Sequence, residues 1–238
     1  MSISNALGRA LAACTGLLYP RLCLSCQQPV SGRQLPQLCV PCAANLPYTD
    51  AHRTAENLLT DNLLGRLPVQ AALALLYYRT DTTTQDLIHA LKYYHRPEIG
   101  HQLGYQLGVR VAAHPDLADL TGIVPVPIHP KRRHVRGYNQ AEEIARGVRE
   151  ATGLPVYPAA LVRTHFMGSQ TRKTALERIE NTRESFAAGP GDFTGHHLLL
   201  VDDVFTTGAT IDFCGNTLLA AHAELRLSVG TLAVAGGL

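Results

Sequence analysis

The chain contains no tryptophan, and only 6% of its 238 residues are aromatic. A broad stacking platform for single-stranded nucleic acid is therefore not indicated. The formal net charge at pH 7 is only +2, which by itself is too small to indicate nucleic-acid binding. No apolar run approaches the roughly 18 residues of a membrane-spanning helix. Since 46% of the residues are hydrophobic, we expect one well-packed core with a small appendage.

Residues 1–20 contain a single arginine and an apolar stretch. The weak basic region argues against a secretory signal peptide. The leucines of this segment recur at helical spacing, which predicts a short amphipathic helix. We therefore expect a cytoplasmic protein.

Four of the six cysteines form two C-x2-C pairs, Cys23 with Cys26 and Cys39 with Cys42. Each pair places two thiolates on one side of a tight turn, and two such turns complete a tetrahedral four-sulfur site that suits structural zinc. Disulfides, a redox-active pair and an iron–sulfur cluster are the alternatives, and a reducing cytosol argues against disulfides. Cys214 lies in a later apolar helical pattern and is predicted to pack in the core.

The segment from Leu198 to Thr210 combines a buried strand, two carboxylates and a small-residue turn. Leu198–Val201 has the length of a central parallel strand, and Asp202 and Asp203 follow directly. The next residues offer hydroxyls and backbone N–H groups at a helix N-terminus, which is an anion site: Thr206, Thr207, Gly208, Ala209 and Thr210. Carboxylates beside an anion cradle suit a ligand that carries both hydroxyls and a phosphate. The alternative is an ordinary strand–turn–helix connection with a capping threonine.

A basic segment follows the strand predicted over Gly122–Pro127. The sequence predicts an arginine-rich loop here, with Gly137 allowing a sharp bend and Asn139 capping a helix over Gln140–Thr152. Guanidinium groups match phosphate oxygens, so this loop is a candidate clamp for a diphosphate. Its cations are Lys131, Arg132, Arg133 and Arg136. The alternative is a solvated basic loop.

A long polar and basic stretch runs from Arg163 to Ala187. Loops of this length are usually functional or mobile, and a lid over a charged substrate has this composition. The candidate lid residues are Gln170, Arg172 and Arg178. A surface helix stabilised by charge pairs is the alternative.

Strands and helices alternate along the rest of the chain. The patterns predict one or two strands over Val69–Tyr78, helices over Thr84–Tyr94 and Ile99–Ala113, and a final strand over Leu225–Val234. Such alternation is typical of an α/β fold with a mostly parallel sheet and flanking helices.

The stretch from Leu198 to Thr210 resembles the motif with which type I phosphoribosyltransferases bind 5-phosphoribosyl 1-pyrophosphate (PRPP). The resemblance implies that Asp202 and Asp203 are the catalytic-site acids and hold the ribose 2- and 3-hydroxyls. It implies that residues 206–210 hold the 5-phosphate. Mg²⁺ would accompany PRPP, the basic segment would bind the leaving pyrophosphate, and Lys92 would reach the site from the preceding helix.

The chain as a whole resembles the ComF family, the relatives of competence protein F. The shared motifs are the cysteine pairs, L-K-Y at 91–93, V-P-V-P at 124–127, R-G-Y-N-Q at 136–140, Q-T-R at 170–172 and the PRPP motif. The resemblance implies an N-terminal helix and zinc module over residues 1–50 and a phosphoribosyltransferase-like domain over 51–238. Within that domain, residues 51–120 would form the hood and first helices, and 121–238 the PRPP-binding core.

The resemblance also implies a link to DNA uptake, but the acceptor of the phosphoribosyl group is not defined. Two functions are therefore expected. One is a PRPP-dependent transferase. The other is a module without transfer activity that senses PRPP or a nucleotide, or binds single-stranded DNA or proteins of the competence machinery.

Overall fold

A four-stranded parallel sheet lies at the centre of the computed structural model, which describes residues 21–30, 38–51, 53–54, 56–80, 82–163 and 186–236. The strand order is β1–β6–β5–β2, and every neighbouring pair is parallel. A second, two-stranded antiparallel sheet pairs β3 with β4. The strands are β1 (Ala72–Tyr78), β2 (Gly122–Pro125), β3 (Leu161–Arg163), β4 (Phe186–Ala188), β5 (His197–Phe205) and β6 (Arg226–Ala235).

The helices of the described residues connect these strands and cover both faces of the main sheet. They are α1 (Val40–Ala44), α2 (Leu58–Leu63), α3 (Thr83–Tyr93), α4 (Pro97–Ala113), α5 (Pro130–Arg136), α6 (Gln140–Thr152) and α7 (Ala209–Ala221). The apolar residues of α3, α4 and α6 form one core cluster with the sheet, and those of α2 and α7 form a second. This three-layer arrangement confirms the predicted α/β fold with a mostly parallel sheet.

Helices α4 and α6 pack with their backbones in close approach. A Cβ atom on Gly104 would lie 2.3 Å from the Ile144 carbonyl oxygen, and one on Gly147 would lie 2.0 Å from that of His101. Because only glycine permits these distances, this helix pair depends on its small residues.

Most predicted elements are confirmed with small shifts of their ends. Helix α6 begins at Gln140 and ends at Thr152 as predicted, and Asn139 caps it by accepting a hydrogen bond from the Ala141 N–H at 3.1 Å. Strand β5 is longer than predicted and ends at Phe205 rather than Val201. The reason is its neighbour, because β6 continues to pair with β5 as far as Phe205.

The prediction of an arginine-rich loop is wrong, because residues 130–136 form helix α5. Pro130 occupies the first turn, where its missing N–H costs no hydrogen bond. The ring of His129 accepts from the Lys131 N–H at 3.2 Å, and Gly137 ends the helix in the left-handed region at φ +79°. The basic side chains are therefore arranged on a short helix rather than along an irregular segment.

Two predicted features lie outside the described residues. They are the N-terminal amphipathic helix over residues 1–20 and the lid residues Gln170, Arg172 and Arg178. The proposed division at residue 50 stays a prediction. Strand β1, from the segment predicted to contain the hood, is an edge strand of the main sheet.

Candidate functional site

The two adjacent acids lie near the carboxyl end of β5, where open parallel sheets bind their ligands. Val201 is the last residue of β5 that pairs with β2, so Asp202 and Asp203 extend past the end of that neighbour. The Asp203 N–H donates to the Asp202 carboxylate at 2.8 Å. Burial and the adjacent Asp203 carboxylate raise the pKa of Asp202 to about 7. The first acid therefore changes its charge near neutral pH.

Lys92 faces this pair from the last turn of α3. Its Nζ lies 3.0 Å from Oδ1 of Asp203, and both side chains are mostly buried. The charge of Lys92 opposes the rise in the pKa of Asp202. The structure thus confirms that Lys92 reaches the acids.

The Thr206–Thr210 segment turns between β5 and α7. Gly208 has φ +74°, and a Cβ atom there would lie 2.6 Å from the Phe205 ring. Both facts require glycine at this position. Thr206 and Thr210 line a cavity together with the two acids.

Arg66 fastens this turn from the segment between α2 and β1. Its Nη1 donates to the Thr207 carbonyl oxygen at 2.8 Å, and its Nη2 donates to Asp212 at 3.1 Å. Asn216 completes the group by donating to the Arg66 carbonyl oxygen at 3.1 Å. Sequence reasoning did not find Arg66, because these contacts join segments about 140 residues apart.

The basic side chains of α5 divide into two groups. Lys131, Arg132 and Arg136 line the same cavity as the acids. Arg133 does not, because its guanidinium forms two hydrogen bonds with the Glu142 carboxylate, at 2.7 and 3.2 Å, and it lines a neighbouring cleft. Of the four cations predicted to bind pyrophosphate, three therefore line the same cavity as the acids.

The cavity has a volume of about 860 Å³. This lies within the range of about 300 to 1,000 Å³ that is usual for ligand pockets. It is lined by the acids, the threonines and the cations, and also by Tyr78, Ile88, His89 and Tyr93. The arrangement gives a ligand both anion-binding and apolar contacts.

Two cavity residues were missed by sequence reasoning. Arg163 ends β3 with its guanidinium 5.0 Å from the centre of the Phe186 ring, and burial together with Arg132 lowers its pKa. Gln140 is 1% exposed, and neither atom of its amide has a hydrogen-bond partner among the residues that the structure describes. A single arginine or glutamine carries no signal in the sequence, although Gln140 does belong to the R-G-Y-N-Q motif.

The four cysteines of the two pairs form one cluster. The sulfur atoms of Cys23, Cys26, Cys39 and Cys42 all lie within 4.8 Å of one another, and Cys26 Sγ is 3.4 Å from Cys39 Sγ. Four thiols at these distances fit a tetrahedral zinc ion. The predicted grouping of the two pairs is confirmed, and the donor set suits zinc.

The thiols of this cluster differ in acidity. Burial opposes ionisation of Cys23, but backbone N–H groups of Cys39, Cys26 and Ser25 outweigh it and lower its pKa to about 6. Interaction with Cys39, followed by burial, raises the pKa of Cys42 to about 12. Crowded thiolates repel one another, and a bound divalent cation would remove that repulsion. Cys214 lies apart from them, fully buried in α7, which confirms its predicted place in the core.

The described helices include none with the length and hydrophobicity needed to cross a membrane.

Comparison with known proteins finds relatives with names connected to DNA. The chain is 27% identical over 234 residues to DNA utilization protein YhgH of Escherichia coli K12. The matched region covers 92% of this chain and 96% of that protein. It is 32% identical over 92 residues to Competence protein F of Haemophilus influenzae, and 30% identical over 113 residues to Competence protein ComFC of Bacillus subtilis. These two matches span 40% and 43% of the length of the relatives.

No protein-family model matches the chain. Among solved structures, glutamine PRPP amidotransferase from B. subtilis is similar with a TM-score of 0.41 and 20% identity, over 60% of this chain and 30% of that one. The curated relatives confirm the predicted resemblance of this chain to the ComF family of competence protein F.

Proposed function

We propose that the chain binds PRPP in the 860 Å³ cavity and transfers its phosphoribosyl group to an acceptor. The observation that carries the proposal is the meeting of two acids, the Thr206–Thr210 turn and three cations around one cavity. These groups come from β5, the start of α7 and α5. Together they match the three polar parts of PRPP, namely the ribose hydroxyls, the 5-phosphate and the pyrophosphate.

Each group has a role that follows from its chemistry. Asp202 and Asp203 accept hydrogen bonds from the ribose 2- and 3-hydroxyls. The backbone N–H groups and hydroxyls of residues 206–210 bind the 5-phosphate at the start of α7. Lys131, Arg132 and Arg136 neutralise the pyrophosphate as it leaves, and the nearby Arg163 adds a further positive charge.

In the transfer, the bond between ribose C1 and the pyrophosphate oxygen breaks, and the electron pair leaves with pyrophosphate. The acceptor forms the new bond to C1. Positive charge develops at the ribose in the transition state, as in glycoside cleavage, and ionised acids stabilise it. Mg²⁺ would enter with PRPP and neutralise part of its charge.

The zinc module would have a structural role. Ser25 Oγ lies 2.9 Å from Thr83 Oγ1 at the start of α3, the helix that carries Lys92. A module held by zinc would therefore fix one end of a helix whose other end reaches the acids.

The names of the relatives support a role for the chain in DNA uptake or DNA use.

The test is calorimetric titration of the protein with PRPP and Mg²⁺. We expect saturable binding that is weakened at least about a hundredfold when Asp202→Asn and Asp203→Asn are combined, because each charged carboxylate acceptor is replaced by a neutral amide, whose oxygen accepts more weakly. Asp50→Asn is the matched control, because Asp50 is exposed and outside the cavity. Undiminished PRPP binding by the double variant would refute the assignment.

A binding module without transfer is the second candidate, and the names of the relatives, which refer to competence and DNA utilization, support DNA as one ligand to test. Pyrophosphate release with a panel of bases and amines separates the two candidates. Binding of PRPP without release indicates a sensor. Binding of single-stranded DNA that weakens steeply with added salt would indicate phosphate contacts.

A further inference from the structure

The helix that carries Lys92 ends in a left-handed turn. The Tyr94 N–H still donates to the Ala90 carbonyl oxygen at 3.0 Å, but the chain then leaves the helical path at His95, which has φ +52°. This region is unfavourable for a residue with a Cβ atom, so contacts from outside the turn are needed to hold it. Helix α4 begins two residues later, at Pro97.

The Tyr138 hydroxyl bridges the two sides of this turn. It donates to the Leu91 carbonyl oxygen, which is one of the last four carbonyls of α3 and has no partner farther along the helix. Burial raises the pKa of Tyr138, and a hydrogen bond from the Arg96 backbone opposes that rise, as a donor to the hydroxyl oxygen does. One hydroxyl therefore contacts both the end of α3 and the start of α4. The Tyr138 ring packs against the buried core cluster, which orients the hydroxyl.

A second contact reaches the turn from the same segment of the chain. The Arg136 carbonyl oxygen only accepts hydrogen bonds, so the His95 ring donates to it through Nδ1, at 3.0 Å. Arg136 is the last residue of α5, and Tyr138 follows it in the segment that joins α5 to α6. This segment is itself fixed, because the Asn139 side chain donates to the Val126 carbonyl oxygen at 3.0 Å.

The position of Lys92 depends on these contacts. Lys92 directly follows Leu91, and its Nζ lies 3.0 Å from the Asp203 carboxylate. The lysine side chain is long and flexible, so a short ion pair is favourable only where the backbone places the chain close to its partner. Among the described residues, Tyr138 is not one of those that line the cavity, so the structure gives it no contact with a ligand there.

We propose that Tyr138, assisted by His95, is a positioning residue for the transfer, which holds the last turn of α3 so that Lys92 contacts the acid pair. The inference rests on the function proposed above. Tyr138 then changes PRPP binding only through Lys92. The alternative is a hydrogen bond that stabilises the fold and does not affect the site.

The test is a double-mutant cycle, measured by calorimetric titration with PRPP and Mg²⁺. We expect Tyr138→Phe, which keeps the ring and removes the hydroxyl, to weaken PRPP binding about tenfold at pH 7. In a Lys92→Met background the same change should alter the affinity by less than about twofold, because the residue through which Tyr138 acts is gone.

The pH profile of binding gives a second readout. Burial and Asp203 raise the pKa of Asp202, and Lys92 and Arg163 oppose the rise. If Lys92 moves away, the pKa of Asp202 rises further, so the affinity of the Tyr138→Phe protein should begin to fall at higher pH than that of the unaltered protein. A loss of stability alone moves no such midpoint. The other ionisable groups near this acid are the buried thiol of α7 and the cavity cations of α5: Cys214, Lys131, Arg132 and Arg136.

Tyr48→Phe is the matched control. The Tyr48 hydroxyl is also partly buried, and it donates to Gln106 Oε1 at 2.9 Å, on α4 and outside the cavity. Both variants should lower the melting temperature by about 2 to 4 °C. Only Tyr138→Phe should change the PRPP affinity and its pH profile.

A second variant acts on the same turn. If Tyr138→Phe does not fold, the cycle is repeated with His95→Gly, because glycine adopts φ +52° without strain while the ring that donates to Arg136 is lost. The same weakening of PRPP binding, and the same dependence on Lys92, are then expected.

The outcomes separate this inference from the proposed function. Weakened binding that disappears in the Lys92→Met background, together with a pH profile displaced to higher pH, supports it. Unchanged affinity, an equal loss in both backgrounds, or an undisplaced pH profile would overturn it and leave the proposed function intact. Absence of PRPP binding in the unaltered protein would overturn the proposed function, and this inference with it.

Discussion

The Lys92 ammonium lies 3.0 Å from the Asp203 carboxylate, between a helix and a strand that are more than 100 residues apart in sequence. Asp202 is adjacent, so three ionisable groups lie together. Burial and the Asp203 carboxylate raise the pKa of Asp202 to about 7. Lys92 acts in the opposite direction and favours ionised Asp202. The lysine therefore increases the ionised fraction of Asp202 at neutral pH.

Replacement of Lys92 by methionine should weaken PRPP binding in a pH-dependent way. Loss of the positive charge raises the pKa of Asp202 further, so a smaller fraction of the carboxylate is ionised at pH 7. For the unaltered protein we expect affinity to fall by up to about tenfold for each pH unit below about 7. In the variant this fall begins at higher pH, and affinity recovers in alkaline solution. Calorimetry between about pH 6 and 9 measures the shift.

Two further variants define this result. Lys92→Arg keeps the charge and should keep most of the affinity. Asp202→Asn removes the titrating group, so its weakened binding should no longer depend on pH near 7. A Lys92→Met protein with the same pH profile as the unaltered protein would contradict this role of the lysine.

Replacement of Arg66 by alanine should loosen the Thr206–Thr210 turn without removing any atom assigned to bind the ligand. The turn loses the hydrogen bond at the Thr207 carbonyl oxygen, and Asp212 loses its charged partner. We expect PRPP affinity to fall about tenfold, the effect of one or two hydrogen bonds to a charged group. The affinity for inorganic phosphate should fall in parallel, which would identify the turn as the affected part.

The control is Arg53→Ala, because Arg53 is an exposed arginine whose carboxylate partner Asp50 is 3.9 Å away. That change should leave phosphate and PRPP affinity unaltered. Equal affinities in Arg66→Ala and Arg53→Ala proteins would show that the turn keeps its shape without Arg66.

Replacement of Gly147 by alanine should destabilise the fold through the α4–α6 contact. The new methyl group would lie 2.0 Å from the His101 carbonyl oxygen, so the helices would have to move apart. We expect the free energy of unfolding to fall by about 3 kcal/mol or more. In urea denaturation, Gly230→Ala is the control, since its methyl group would meet no atom closer than 3.4 Å. A loss below about 1 kcal/mol for Gly147→Ala would indicate that the pair adapts easily.

The parts of the site that were predictable are contiguous in sequence. The strand, the two acids and the turn of residues 198–210 lie together because the chain is continuous there, so a local pattern was sufficient. The cysteine pairs were also predictable, since their spacing reports a shared metal site. The basic segment was identified by composition, but its helical state depended on Pro130, His129 and Gly137 as helix-end signals.

The remaining parts required the tertiary structure. Arg66 and Arg163 act through contacts with distant segments, and nothing around them in sequence distinguishes them from other arginines. Gln140 is informative only because it is buried without a partner among the described residues. The extension of β5 to Phe205 likewise depended on β6, which lies beside it in the sheet.

Removal of the metal should affect the cysteine cluster specifically. We expect about one zinc ion per chain by elemental analysis, because four thiols within 4.8 Å complete one tetrahedral site. Cys39→Ala should abolish retention of zinc and lower the melting temperature. Cys214→Ala is the control, since this buried thiol lies apart from the cluster, and the variant should retain its zinc. Zinc-free protein with unchanged stability would exclude a structural metal at this site.

Acid should destabilise the fold through Asp119, at the opposite end of β5 from Asp202 and Asp203. Its carboxylate lies 2.6 Å from Nδ1 of buried His197 and 2.5 Å from Nη1 of Arg226, and these two partners lower its pKa from 3.8 to about 2. Above about pH 4 the carboxylate is ionised in both folded and unfolded chains, so the stabilisation is complete. As the pH falls from about 4 to about 2, the unfolded chain takes up the proton first and the stabilisation is lost. Urea denaturation should therefore show Asp119→Asn to be less stable than the unaltered protein at neutral pH, with the difference closing over this interval.

Asp50→Asn, at an exposed carboxylate, should show no such convergence. A constant difference between Asp119→Asn and the unaltered protein from neutral pH to pH 2 would mean that the contribution of Asp119 does not depend on its charge.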